Sequence, residues 1–561
     1  MAVLDTEADM DWQVMPAFDS YDQAREEFRW ELPESYNPAV DFCRKQSDGV
    51  ALRYDSGKTT ETFTFDEIDR LSDQLAAGFD SIGISPGDRV GVLVSQKPAN
   101  PITHLANWKL GAVSVPLTVL FGPDALQYRL ADSDAVGIVV DSGVRDNVRE
   151  IRKECPSLEH VIEVDGSMSA KGDAHSYREL ISEQEPGFEI YDSTPETESA
   201  VMYTSGSTGP PKGVVHSHGL WLGRAAAAYN YFDRGLKSEQ AGRTTLWTPA
   251  DWAWGAALGG TLFAGWHHGC TVVARPRESF DAEAAFAALA RHDVTHAFMP
   301  PTALRMLQSV DSPAETYDLS LEVIASAGEP LTPEIIEWGE ATLPGVSINE
   351  FYGQTELNLV VANSADWFEI RPGSMGKPLP GYEVAILDPA THERVPRGET
   401  GELAVKSGDR RVFFDEYLDL PEKTAEKQTD DGWFLTDDLC KRDEDGYLWF
   451  VSRADDVILS RGYRIGPMEV ESAILEHPAV EQVGVVGVPD ETMGEAIKAV
   501  VQPTEMPEEP DRLRTEIREL VRENLAAYEY PEHIEFVTEL PTTSTGKIRR
   551  KSIREQEAES E

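Results

Sequence analysis

The stretch YTSGSTGPPKGVVHSHG, residues 203–219, sets glycines and hydroxyls around a single lysine. It continues the apolar run SAVMYT (199–204), so a strand feeds a Gly/Ser/Thr loop. In that setting backbone N–H groups and hydroxyls can hold phosphate oxygens, with Lys212 as counter-charge. It is not a Walker A loop, which needs G-x-x-x-x-G-K-[ST]. Counted from Gly206, the sixth position is Pro211, and Gly213 stands where the magnesium-binding hydroxyl belongs. A flexible turn has the same composition. Taken alone, phosphate cradle and plain turn balance.

Composition narrows the surroundings. At 561 residues the chain exceeds a single core and predicts two or more domains. Hydrophobic residues make up 41 %, with 12 Trp and 20 Phe, enough to fold. The formal charge is −49, from 99 Asp and Glu against 50 Lys and Arg, dispersed along the chain. At molar salt the Debye length falls to about 3 Å and like charges scarcely repel, so this surface suits a halophilic, high-salt cytoplasm. The absence of a basic stripe argues against nucleic acid as a partner, and anionic substrates must be met by local cations. Cys43, Cys155, Cys270 and Cys440 lie far apart without a CxxC. That argues against a zinc site or disulfide framework and fits a reduced cytoplasm. The N-terminus lacks the basic and apolar regions of a signal peptide. The most membrane-like window, 246–266, carries Pro249 and Asp251, so it reads as a buried segment and not a membrane span.

Periodicity gives the fold class. FDEIDRLSDQLAAGFDSIG (65–83) has helical spacing and ends in glycine; DRVGVLVS (88–95) reads as a buried strand. HLANWKLGAVSVPL (104–117) and AVGIVVDS (135–142) continue the βαβ rhythm of a parallel sheet covered by helices. The rhythm resumes with TVVARP (271–276), DAEAAFAALARH (281–292), THAFMPP (295–301) and LEVIASAGEPL (321–331). From about 376 short strands and turn signals mark a smaller β-rich subdomain. The last hundred residues read as compact α+β. A boundary falls near SRADDVILSRGYRIGP (452–467).

Further motifs settle the loop. ASAGEPLTPE (325–334), NEFYGQTE (349–356), GWFLTDDL (432–439), SRADDVILSRGYRIGPMEVE (452–471) and PTTSTGKIRR (541–550) follow it in order. Together with residues 203–219 this text resembles the adenylate-forming superfamily of acyl-CoA synthetases, luciferases and peptide-synthetase adenylation domains, over roughly residues 60–552. It resembles the medium-chain acyl-CoA synthetases more than a luciferase-type oxygenase. The resemblance implies a large N-terminal α/β AMP-binding domain (1–452, parallel sheets with helices plus the β-rich subdomain), a hinge (453–456), and a small, mobile α+β C-terminal lid domain (457–561). It implies a two-step ligase. A carboxylate attacks the α-phosphate of ATP to give acyl-AMP and pyrophosphate, and a thiol then takes the acyl group and releases AMP.

Roles follow by resemblance, residue by residue. Thr204, Ser205, Gly206, Ser207, Thr208, Gly209 and Lys212 hold the ATP phosphates. Gly328, Glu329 and Pro330 border the adenine, against which Tyr352 lies, with Gly353 and Gln354 beside it. Thr355 meets the α-phosphate and Glu356 holds Mg²⁺, a hard cation suited to carboxylate and phosphate oxygens. Asp438 binds the ribose. The family usually reads Thr-Gly-Asp where this chain has Thr436, Asp437 and Asp438, which makes Asp437 a rival carboxylate. Arg453 reaches ribose or phosphates, Arg464 the phosphates, and Asp455 marks the hinge. Lys547 stabilises the α-phosphate in the first half-reaction, with Thr204 and Glu356 as the other catalytic residues. Gly462 and Tyr463 line the thiol tunnel. Glu529 and Glu532 stand in AYEYPEHIEF (527–536), where relatives often carry basic residues that could meet CoA phosphates.

The chain ends soon after GKIRRKSIREQ, with no carrier domain in view, so free CoA is the expected thiol; a separate carrier protein or another acceptor is the alternative. Acetate-specific relatives carry Trp where this chain has Gly353, and Trp252 and Trp254 are expected to line the acyl pocket. The expected acid is medium-chain, short branched or aromatic, with acetate or propionate as the alternative. PTTSTGK has the spacing of relatives whose catalytic lysine is acetylated, so a protein acetyltransferase acting on Lys547 is an expected partner.

Overall fold

Thr64 opens the helix Phe65–Ser81. Its hydroxyl accepts the Glu67 N–H at 3.2 Å, and the Glu67 carboxylate takes the Thr64 N–H at 2.8 Å, a reciprocal cap. Phe65, Ile68, Leu75 and Phe79 form its buried stripe. The computed structural model describes residues 15–560 apart from 17, 47–48, 166–173, 205–209, 237–242, 278, 461–462, 491–492, 526–528 and 543–547.

The chain divides into two units, Met1–Glu383 with Val405–Gly432, and Val384–Ala404 with Trp433–Glu561. The strands before residue 452 therefore go partly with the C-terminal unit, because they close a sheet there. A pivot at 453–456 concerns motion, a separate property from compactness.

The first unit holds two sheets. In one, Val113–Pro116, Arg89–Leu93, Gly137–Asp141 and His160–Val164 run parallel, as the βαβ rhythm predicts. Glu198–Thr204 joins Val113–Pro116 in parallel. The sheet then turns antiparallel: Glu198–Thr204 pairs with Lys212–Ser217, which pairs with Glu416–Tyr417. In the other, Val50–Asp55, Thr271–Ala274, Thr245–Trp247, His296–Phe298, Val323–Ser326 and Ser347–Gln354 run parallel. Asn358–Ala362 returns antiparallel to Ser347–Gln354. Such sheets bind ligands beyond the carboxyl ends of their strands, which is where residues 327–331 and 355–357 lie. The window 246–266 is largely buried, as expected, and contains a π-helical turn, Leu258–Phe263. Among the described residues no helix is long and apolar enough to cross a membrane.

The second unit is β-rich and α+β. Its sheet order is Tyr382–Leu387, Thr400–Ser407, Phe434–Arg442, Leu448–Arg453, the strand ends 382–383 and 405–407 being assigned to the first unit. Val480–Asp490 and Gly494–Pro503 form a long antiparallel ladder, joined in parallel by His533–Phe536. Val470, Ile474, Val485, Ile497, Leu513 and Ile517 pack as its core with helices Pro467–Leu475 and Pro510–Asn524.

Candidate active site

The opening loop is the connection of a β-hairpin. Thr204 faces Lys212 across the ladder and Tyr203 faces Gly213, so residues 205–211 connect two paired strand ends. Ser205, Gly206, Ser207, Thr208 and Gly209 lie outside the described residues. Tyr128 donates to the Pro211 carbonyl at 2.8 Å, fixing the far side of the loop. Lys212 leaves the hairpin with its Nζ 4.1 Å from the centre of the Tyr417 ring. The Tyr417 hydroxyl donates to Glu356 Oε1 at 2.9 Å. One tyrosine thus spaces an ammonium from a carboxylate. Tyr417 carries no sequence signal: it is a lone aromatic on a two-residue edge strand, and only the Val214–Tyr417 pairing brings it here.

Glu356 belongs to a second hairpin. Gln354 pairs with Asn358, so Thr355, Glu356 and Leu357 form the turn, closed by Asn358 at φ 74°. Gln354 donates to the Tyr352 hydroxyl at 3.2 Å. A register shift falls between Tyr352 and Gly353, and a Cβ on Gly353 would collide with the Asn358 carbonyl. Gly353 is therefore required by the returning strand, whereas the sequence suggested it as open pocket wall. Among the described residues Glu356 Oε2 accepts no hydrogen bond. No group of three potential metal ligands occurs there either. A half-buried carboxylate with one oxygen engaged fits Mg²⁺ held mainly by phosphates and water. The GEP turn follows Val323–Ser326, the neighbouring parallel strand, with Gly328 at φ 100° and the Glu329 carboxylate paired to Arg305 at 3.0 Å. Below it, burial pushes the Glu350 carboxyl up to about 8, and its Oε2 accepts the Leu331 N–H at 3.3 Å.

Trp254 is half-buried at the start of the helical segment after residue 254, and Trp252 is fully buried. Asp251, immediately before Trp252, accepts from Thr118 at 2.6 Å. His216, near the end of strand Lys212–Ser217 and beside the backbone of Thr355, is pushed down to about 3 by burial and stays neutral. It was not anticipated, since a histidine in an apolar strand reads as core.

In the second unit, Asp438 Oδ1 accepts from Arg453 Nη1 at 3.0 Å, and Arg453 Nε lies 3.6 Å from Asp455. Asp437, where the family has glycine, adopts φ 58°. The left-handed backbone a glycine would supply is thus kept, and the Asp437 N–H is held by Glu402 Oε1 at 2.9 Å. Aspartate tolerates this region and β-branched residues do not. We expect Asp437→Gly to leave the urea midpoint unchanged or slightly raised and Asp437→Val to cost about 1–2 kcal/mol; equal midpoints would refute the strain argument. Next to the expected hinge, Asp456 accepts from Arg554 at 3.0 Å and Arg550 at 3.4 Å, both on the last helix, Arg550–Ser560. Arg464 and Tyr463 lie on strand Tyr463–Ile465, with Arg464 opposite Leu459. Gly462 and Lys547 lie outside the described residues. Glu532 accepts the Ile497 N–H at 2.9 Å and Glu529 is buried, so these two acids are engaged in the fold.

The chain is similar to proteins of known family. The family model described as AMP-binding enzyme matches residues 40–410, and the AMP-binding enzyme C-terminal domain matches 469–547. The mitochondrial acyl-coenzyme A synthetase ACSM3 of Mus musculus is 33 % identical over 96 % of this chain and 94 % of its own length. The acetyl-coenzyme A synthetase of Bacillus subtilis (strain 168) is 35 % identical over 90 % of this chain and 87 % of its own. The crystal structure of the anthranilate CoA ligase AuaEII with anthranoyl-AMP superposes with TM-score 0.84 at 28 % identity, covering 94 % of this chain and 98 % of that one. With both family models matching and a relative 33 % identical over nearly the whole chain, the chain belongs to the AMP-binding enzyme family.

Proposed function

We propose that this chain activates a medium-chain, short branched or aromatic carboxylate. The reaction class is that of an AMP-forming acid–CoA ligase using ATP and CoA. The acid attacks the α-phosphate, pyrophosphate leaves, and the CoA thiol then displaces AMP from the acyl carbon. Little covalent chemistry falls to the protein, so positioning and charge neutralisation dominate.

The Lys212–Tyr417–Glu356 arrangement carries the proposal for the nucleotide site. Lys212 and the loop 204–209 hold the departing phosphates, Thr355 meets the α-phosphate, and Glu356 takes Mg²⁺, which supplies charge neutralisation when bound. Tyr352 and the Gly328–Pro330 turn hold adenine; Asp438 and Arg453 hold ribose. Lys547 serves the first half-reaction, the 462–464 strand the second, and Asp455 the change between them. Acetylation of Lys547 would switch off the first step alone. Four free, buried cysteines support a reduced cytoplasmic setting.

The aromatic or longer acid is supported by the half-buried Trp254 and by the anthranoyl-AMP held by the structural neighbour. Acetate or propionate is the second reading, favoured because the Asn358 backbone, not pocket space, explains Gly353. A panel of carboxylates with ATP and CoA, read by pyrophosphate release, decides. Butyrate to octanoate or benzoate is expected to exceed acetate at least 10-fold in kcat/KM; preference for acetate overturns the reading. Replacing CoA by a carrier protein tests the acceptor.

A further inference from the structure

Arg224, on helix Gly219–Tyr231, is 2 % exposed. Its Nη1 donates to the Gly255 carbonyl, while its buried Nε has no hydrogen-bond partner. Among the described residues it makes no ion pair, and the outside loop 205–209 contains no carboxylate. The nearby polar groups are the phenols of Tyr231 and Tyr382, both pushed toward the neutral form by burial. Burial lowers the Arg224 pKa to about 10, so it stays cationic at neutral pH. A buried cation with no counter-charge is costly and persists where something compensates it.

The guanidinium lies against the segment expected to wall the acyl group. A Cβ on Gly255 would stand 2.6 Å from Nη1 and 2.9 Å from Nη2, and one on Gly259 would collide with Arg224 Cδ. Glycines at these two positions leave the space the side chain fills. Gly259 lies within the π-helical turn Leu258–Phe263, a local widening found often at functional sites. Trp254 is bonded to Gly255, and His216, which feels the Arg224 charge, adjoins the Thr355 backbone. The cation therefore stands between the expected acyl wall and the expected phosphate turn.

We propose that Arg224 determines specificity by pairing with a second carboxylate on the acid, so that this enzyme activates dicarboxylates in preference to chain-matched monocarboxylates. The proposal rests on the acid–CoA ligase reading and on the Trp252–Gly260 segment lining the acyl site. A guanidinium offers two parallel donors to a carboxylate, and a site built around an unpaired buried charge rejects an acid that leaves it unpaired.

The test compares hexanoate with adipate, and butyrate with succinate, by AMP formation with ATP and CoA, for wild type, Arg224→Lys and Arg224→Met. Wild type is expected to favour the dicarboxylate at least 10-fold in kcat/KM, mainly through KM. Arg224→Met reverses the preference, and Arg224→Lys retains part of it. A wild-type enzyme that makes AMP with both acids and favours the monocarboxylate overturns the proposal, as does an unchanged ratio in Arg224→Met. If Arg224→Met does not fold, the wild-type ratio and Arg224→Lys decide. AMP formation with no acid at all would instead overturn the ligase reading.

Discussion

Lys547→Ala is expected to cut acyl-adenylate formation by about 10²–10³-fold or more, the range for losing one preorganised charge at a developing oxyanion. Thioester formation from supplied acyl-AMP and CoA is expected to change less than 3-fold, roughly 0.7 kcal/mol. The reasoning is electrostatic. Attack on the α-phosphate gathers negative charge on equatorial oxygens, and a long, flexible ammonium can meet it without being part of the packed site. The second step breaks the acyl carbon–oxygen bond, the electron pair leaving with AMP, and passes through no pentavalent phosphorus, so it does not need the same ammonium. Pyrophosphate release measures the first step; thioester absorbance from synthetic acyl-AMP measures the second. Equal loss in both would refute the division of labour, and acetylated protein that adenylates at the normal rate would refute Lys547 as the control point.

The second large effect concerns stability. Glu471 is 4 % exposed and accepts from Arg550 Nε at 2.9 Å, Arg550 Nη2 at 2.6 Å and the Val485 N–H at 2.8 Å. Burial raises its carboxyl above the ordinary value, and the Arg550 charge works against that rise. Arg550→Met leaves the carboxylate buried without its cation, a loss of about 3–5 kcal/mol when ionised. The sign with pH is set by the raised folded value. Below the unfolded carboxyl pKa, Glu471 is neutral in both states and the loss is small. As pH rises through the folded value the loss becomes complete. Urea unfolding at pH 5 and pH 8 is therefore expected to show a much larger deficit at pH 8, and Glu471→Gln in the same chain is expected to recover most of it. The same deficit at both pH values would show that only packing was lost.

What could be read from sequence followed from local periodicity and from residues whose chemistry is fixed by neighbours along the chain. The capping pair Thr64 and Glu67, the strands 89–93 and 137–141, and the turn carrying Thr355 and Glu356 all have short-range signals. Tyr417 and Arg224 do not. Each is a lone residue whose meaning comes from what a distant strand or helix sets beside it, Glu356 in one case and Gly255 in the other. Asp437 looked like a departure because residue type was visible and φ was not; the left-handed backbone survives the exchange. Gly353 is the converse: a glycine that suggested cavity is explained by the Asn358 carbonyl.

The hairpin from Glu198–Thr204 to Lys212–Ser217 has a consequence for range. The next helix, Gly219–Tyr231, starts seven residues beyond Lys212, at the far end of that strand and about 20 Å from the loop at about 3.3 Å per residue. Its macrodipole fades within a turn, so a phosphate held at the loop as proposed would draw nothing from it. Attraction must come instead from donors in contact with the anion, which act inside even the ~3 Å screening length of molar salt. In a chain of charge −49, where surface repulsion depends on ionic strength, the proposed nucleotide capture is therefore expected to be less sensitive to salt than the integrity of the fold that carries it.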